Sequence, residues 1–179
     1  MASQGISDYL GGLKKVLGIG ASLASIPLLA SFASLQPPWP PAIGAVSSAL
    51  VFAAALLSWE WTRRSKVRNR RRWIIAGLVT SLIGLGGYLY LYSSYVDDIP
   101  KTSFRVIRGY ECTEQAKLVY KVACPDLPTD ALAGAEWEPT ELWTRQSVTN
   151  VRLGLAASWL AFTAGLILLA GGVVAGRKT

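Results

Sequence analysis

The sequence predicts an all-α integral membrane protein, a bundle of four transmembrane helices with a small disulfide-closed extracytoplasmic loop domain between helices 3 and 4. Three observations lead there. Four stretches of the 179 residues hold no charged side chain, at 16–35, 42–59, 73–92 and 153–176. The cations concentrate in the short segments before, between and after those stretches. The two cysteines of the chain both fall in its one long connection, residues 93–152.

An α-helix rises about 1.5 Å per residue and the hydrocarbon core is about 30 Å thick, so about 20 residues cross it. Residues 16–35 and 73–92 match that length. Residues 153–176 exceed it and can tilt, and 42–59 is the shortest of the four. A soluble bundle helix keeps a polar face, whereas these stretches are apolar or small on every side.

Ahead of the first span, residues 1–15 place Ile6, Tyr9, Leu10 and Leu13 at helical spacing, continued by Leu17, with Ser7 or Asp8 able to cap. This predicts a short amphipathic helix on the cytoplasmic surface. Lys14 and Lys15, the apolar run and Ser31 to Ala33 also match a cleavable signal sequence; the other three spans keep their orientation either way. Pro27 lies near the middle of the first span, where it removes one hydrogen bond and predicts a kink. The outer turn, 36–41, sets four prolines around Trp39 and predicts a short, stiff connection.

Charge gives the direction. The connection 60–72 holds Arg63, Arg64, Lys66, Arg68, Arg70, Arg71 and Arg72 against Glu60, a net +6. Residues 1–15 carry +1, the tail 177–179 carries +2, and residues 93–152 carry −2. Short basic loops stay in the cytoplasm, and four spans put all three basic segments on one side. The expectation is a bacterial inner-membrane protein with both termini cytoplasmic and residues 93–152 periplasmic. The seven cations are candidates for contact with anionic lipid headgroups, at up to about 1 kcal/mol each, or with a cytoplasmic protein partner. No folded nucleic-acid-binding module accompanies them, so nucleic acid is not expected as a partner. Trp39, Trp59, Trp61 and Trp73 read as interfacial anchors.

Within the long connection, residues 102–108 alternate imperfectly and predict a strand. Glu114 to Tyr120 predicts a short helix, and Pro125, Pro128 and Gly134 interrupt the pattern. Pro139 suits the first turn of a helix, expected to run through Leu142, Trp143, Val148 and Val151 straight into the fourth span. On it, Glu141 and Arg145 would pair across one turn. Asp97 and Asp98 are expected to be solvated acids. In an oxidising compartment Cys112 and Cys124 predict a disulfide, with a stabilisation of about 3 kcal/mol. Small residues recur four apart, at Gly18 and Ser22, Gly44 and Ser48, Gly77 and Ser81, Ala161 and Gly165, and Gly172 and Gly176. Such pairs let helices approach closely in lipid, within one chain or between copies.

The chemistry excludes several classes. The chain has no histidine, and no span contains Asp, Glu, Lys or Arg, the groups on which proton relays and carriers usually depend. No Walker loop, GxSxG or HExxH occurs, and no catalytic residue, metal site or cofactor is expected. The chain resembles the four-helix quinone-linked thiol oxidases in length, topology and a cysteine pair between the third and fourth spans. Those enzymes also carry Cys-x-x-Cys in the first outer loop. Residues 36–41 hold no cysteine, so the exchange relay lacks its second pair. Animal tetraspanins share the large second outer loop, but their Cys-Cys-Gly motif is absent.

Two function classes follow. One is a non-enzymatic, homo-oligomeric membrane sensor or effector, of the kind that serves bacterial stress or phage-defence systems by disturbing the bilayer or conducting ions. Ser47, Ser48, Thr80, Ser81, Ser158 and Thr163 are then candidates to face a pore, or to form hydrogen bonds between helices. The other is a redox-active or assembly-factor subunit of a larger membrane complex, working through Cys112 and Cys124.

Overall fold

A computed structural model describes residues 2–32, 37–38, 42–64, 70–99, 105–121 and 126–174. The chain is mostly helical and separates into two compact units, Met1–Leu85 with Trp159–Thr179, and Gly86–Ser158. Three helices are long and apolar enough to cross a membrane, at Leu10–Phe32, Arg71–Tyr95 and Arg145–Val173. A shorter apolar helix covers Ile43–Ser58.

In the first unit, α1 (Ala2–Phe32) and α2 (Ile43–Arg64) pack against each other. The amphipathic segment expected at 1–15 continues without a break into the apolar stretch, because neither Pro nor a cap interrupts the backbone there. Pro27 lies inside α1 and is fully buried. A β-carbon on Gly20 would sit 3.1 Å from Ala55 Cβ, so the α1–α2 contact is close. Helix α2 runs past the expected boundary at Trp59 and carries the start of the basic segment, through Arg64, as helix.

The faces of α3 (Arg70–Tyr95) are inverted relative to a water-soluble helix. Its buried stripe is small or hydroxylated, with Gly77, Ser81 and Gly84. Its exposed face is large and apolar, with Ile75, Leu78, Val79, Leu82 and Ile83. Water selects the reverse arrangement, and lipid tails tolerate this one.

The partner of that small stripe is the final long helix, α7 (Arg145–Val174). A β-carbon on Gly84 would lie 2.3 Å from the backbone nitrogen of Phe162, and one on Gly165 would lie 2.4 Å from that of Ser81. One on Gly77 would lie 2.7 Å from Leu169 N, and one on Gly172 would lie 2.7 Å from Ile74 Cγ1. These pairs descend along one helix as they rise along the other, so α3 and α7 are antiparallel here. Of the expected small pairs, Gly77, Ser81, Gly165 and Gly172 are used in this seam. Gly18 faces open space, and the Ser22 and Ser48 hydroxyls donate to their own helix at Gly18 O and Gly44 O.

Among the described residues, helix α2 meets α7 at Ser47 and at Ser58. Trp159 Nε1 donates to Ser47 Oγ at 3.0 Å, and a β-carbon on Gly171 would lie 3.1 Å from Ser58 Oγ. Both numbers rise together, so α2 and α7 run parallel for about 16 Å of helix.

The second unit holds the ends of the long helices that border residues 96–144. The strand expected at 102–108 is β2 (Arg105–Ile107), antiparallel to β1 (Val96–Asp98) with Asp97 opposite Val106. The predicted short helix is α4 (Glu114–Tyr120), capped by Thr113, whose Oγ1 accepts from Ala116 N. Next come α5 (Thr129–Gly134) and α6 (Pro139–Leu142).

One expectation fails. The helix begun at Pro139 does not continue into the membrane-length helix. Trp143 is extended (φ −114°, ψ 150°) and forms an antiparallel bridge with Cys112. Thr144 N donates to Glu111 O and Thr113 N donates to Leu142 O, so these backbone groups are satisfied across the chain instead of along a helix. Glu141 and Arg145 therefore sit on different helices, and their one-turn pair does not exist.

The seam makes a direct prediction. Gly84→Ala and Gly165→Ala each push a methyl into facing backbone, which cannot rotate away, and should lower stability by about 1–3 kcal/mol. Gly86→Ala, where nothing lies within 4 Å, should be neutral or stabilising by up to about 1 kcal/mol. Thermal unfolding of the detergent-purified variants measures both.

Candidate functional site

The expected site residues divide by what the structure describes. Trp39, Lys66, Arg68 and Cys124 lie outside the described residues. For Trp59, Trp61, Arg63, Arg64 and Arg70 the description covers helical backbone alone. Arg71 and Arg72 are exposed on the first turn of α3, beside Trp73, which is 51 % exposed. These two cations and the tryptophan thus share one helix end, the arrangement of an interfacial anchor.

The hydroxyls named as pore candidates are largely occupied. Ser47 accepts from Trp159, Ser48 donates to Gly44 O, and Thr163 Oγ1 donates to Trp159 O at 3.0 Å; all three are buried. Ser81 is buried in the glycine seam. Their role in this fold is to join and brace helices.

In the second unit, Cys112 is 2 % exposed inside a core shared with Val106, Ala116, Leu132, Trp143 and Val148. The bridge to Trp143 positions it there. Gly109 makes the approach possible: a β-carbon on it would overlap Ser147 Oγ and lie 2.7 Å from Trp143 Cβ. Ser147 Oγ in turn donates to Thr144 O at 2.9 Å, with Glu111 O 3.3 Å away, and Trp143 is wholly buried. Glu136 (φ 51°) and Trp137 (φ 64°) occupy the left-handed region in succession, at a cost of about 1 kcal/mol or more each. Trp137 N donating to Leu132 O and the packing of its ring on the core hold that turn.

Asp97 and Asp98 are not merely solvated. Arg108 Nε lies 2.8 Å from Asp97 Oδ2, a charge contact outside hydrogen-bond alignment, while its Nη2 donates to Ser94 O at 3.1 Å. Arg105 Nε donates to Asp98 Oδ1 at 2.9 Å, and its guanidinium lies over the Tyr92 ring at 5.6 Å. The two arginines tie the hairpin to the end of α3. On α4, the Glu114 carboxylate holds the Lys117 ammonium above its usual pKa through a 2.9 Å hydrogen bond on the open surface.

A groove of about 410 Å³ opens between α4 and residues 134–142. Ala116, Ala135 and Leu142 line it with apolar surface, and Gln115, Thr140 and Glu141 add polar groups. Sequence reasoning placed α4 but missed this groove, because its far wall forms only when Trp143 leaves helix geometry. The arginine pair was also missed, since Asp97 and Arg108 are eleven residues apart and meet only through the hairpin. Among the described residues no group of three or more His, Cys, Asp or Glu gathers as metal ligands do. No family model, curated protein or solved structure matches the chain.

Gly109→Ala should unravel the core of the second unit, since the new methyl meets Ser147 and the fully buried Trp143. The expected result is loss of near-ultraviolet tryptophan dichroism and rapid trypsin cleavage between residues 96 and 144 in detergent. A wild-type digestion pattern would count against the packing described.

Proposed function

We propose that the chain is a four-span membrane protein that self-associates and works as a sensor or effector, without catalytic turnover. The observation that carries this reading is how the outer core joins the long helices. Val148 of α7 belongs to that core, Arg108 N donates to Tyr95 O at the end of α3, and Thr144 N, just before α7, donates to Glu111 O. A ligand that rearranges this core would therefore act on Tyr95 and Val148, which belong to α3 and α7 themselves.

In this reading α2 is the fourth span. Its parallel run along α7, against an antiparallel α3, supports alternating crossings, and the helical turns beyond Ser58 lengthen its short apolar stretch. The basic connection 60–72 and both termini face the cytoplasm of a bacterial inner membrane, and residues 93–152 face the periplasm. Arg63, Arg64, Lys66, Arg68, Arg70, Arg71 and Arg72 meet anionic headgroups or a cytoplasmic protein partner. Cys112 and Cys124 form a structural disulfide; the burial of Cys112 and the absence of a free thiol among the described residues support it. Ser47, Ser48 and Thr163 are spent on contacts within the chain, so any conducting path would be lined between copies. Such an assembly suits an effector that breaches the bilayer in a stress or phage-defence response.

Light scattering of the detergent-purified protein, corrected for bound detergent, should give a defined homo-oligomer, and reconstituted protein should release dye from vesicles. A strictly monomeric protein that leaves vesicles sealed would sink the effector reading. Cys112→Ser should lower stability or assembly by about 2–5 kcal/mol. A redox subunit predicts the opposite pattern, a stably assembled variant that has lost thiol-disulfide exchange.

A further inference from the structure

The groove on the second unit has two unlike walls. One is α4, with Ala116 and Val119 facing the groove and Gln115 at its edge. Val119 is 71 % exposed, and the adjacent Leu118 is 74 % exposed, so apolar surface continues out of the groove. The other wall comes from residues 134–142, which contain Glu136, Glu138 and Glu141 and no lysine or arginine. Glu141 lines the groove itself, and Glu136 and Glu138 are exposed on the same segment. Ala116, Ala135 and Leu142, all buried, line the groove as its floor, and Val119 offers its broad apolar surface.

We propose that this groove binds a cationic peptide segment carrying an apolar anchor residue, and that this is the ligand class the sensor recognises. The anchor would lie on Ala116, Ala135 and Leu142, and the flanking cations would face Glu141 and its acidic neighbours. An apolar strip alone would accept many ligands. The one-sided charge selects against acidic chains and steers basic ones toward the groove. The assignment rests on the reading that residues 93–152 face an aqueous exterior, where such a peptide can reach them.

The test uses the full-length protein in detergent and a fluorescein-labelled pentapeptide, Lys-Lys-Leu-Lys-Lys, followed by anisotropy. Saturable binding is expected, with Lys-Lys-Ser-Lys-Lys and spermidine competing poorly and Glu-Glu-Leu-Glu-Glu not at all. Glu141→Lys should weaken binding about fivefold, with the loss shrinking at high salt. Gly134→Phe should abolish binding by plugging the groove: its β-carbon has 3.6 Å to Tyr120 Oη and no backbone in its way. If that variant melts early, Thr140→Phe, at an exposed lining position, replaces it. Absence of binding to the folded wild type overturns the proposal. So does equal competition by the serine peptide or spermidine, or unchanged binding when the groove is plugged, which would mark diffuse charge or micelle partitioning. Vesicle release without peptide binding removes the groove assignment and keeps the effector reading. Peptide binding without assembly or release does the reverse.

Discussion

The close approach of α3 to α7 is the constraint on which the first unit depends. At Gly84 and Gly165 the facing backbones leave no room for a β-carbon. In lipid no hydrophobic force drives helices together, because the tails are as apolar as the side chains. What remains is dispersion between well-matched surfaces, which grows as backbones approach. Glycine and serine therefore face inward, and the bulky residues of α3 are left outside. The same helix, α7, meets α2 along another face through Trp159 and Ser47, so it carries the largest buried share of the membrane-length helices.

The second unit follows a different logic, that of a small core closed by backbone hydrogen bonds between distant segments. Trp143 and Cys112 are brought together by backbone hydrogen bonds from residues on either side of each. That bridge ends α6, sets the start of α7 at Arg145, and closes one wall of the groove. Gly109 yields the space, and the left-handed turn at Glu136 and Trp137 is held by the packing it makes possible. Arg105 and Arg108 then fasten the hairpin to the last turns of α3.

Function is read from the distribution of chemistry between these regions. Charge is gathered in residues 60–72 and 93–152, while buried hydroxyls of the apolar helices are spent within the chain, Ser47 on Trp159 of α7 and Thr163 on its own helix. The core of the second unit includes Val148 of α7. The groove between α4 and residues 134–142 sets Glu141 beside Ala116, Val119 and Leu142.

By itself the sequence determined the three membrane-length helices, α4 and the position of β2, since each follows from a local pattern of hydropathy or alternation; the Thr113 cap of α4 came from the structure. It also marked Gly77, Ser81, Gly165 and Gly172 as small, without indicating which helices they would join. Gly84 and Gly109 escaped notice because a lone glycine acquires meaning only from the atoms opposite. The break at Trp143, the arginine pairs of the hairpin and the groove were decided by tertiary structure. Each depends on residues far apart in the chain, and a backbone group will leave a helix only when a distant partner offers the hydrogen bond it gives up.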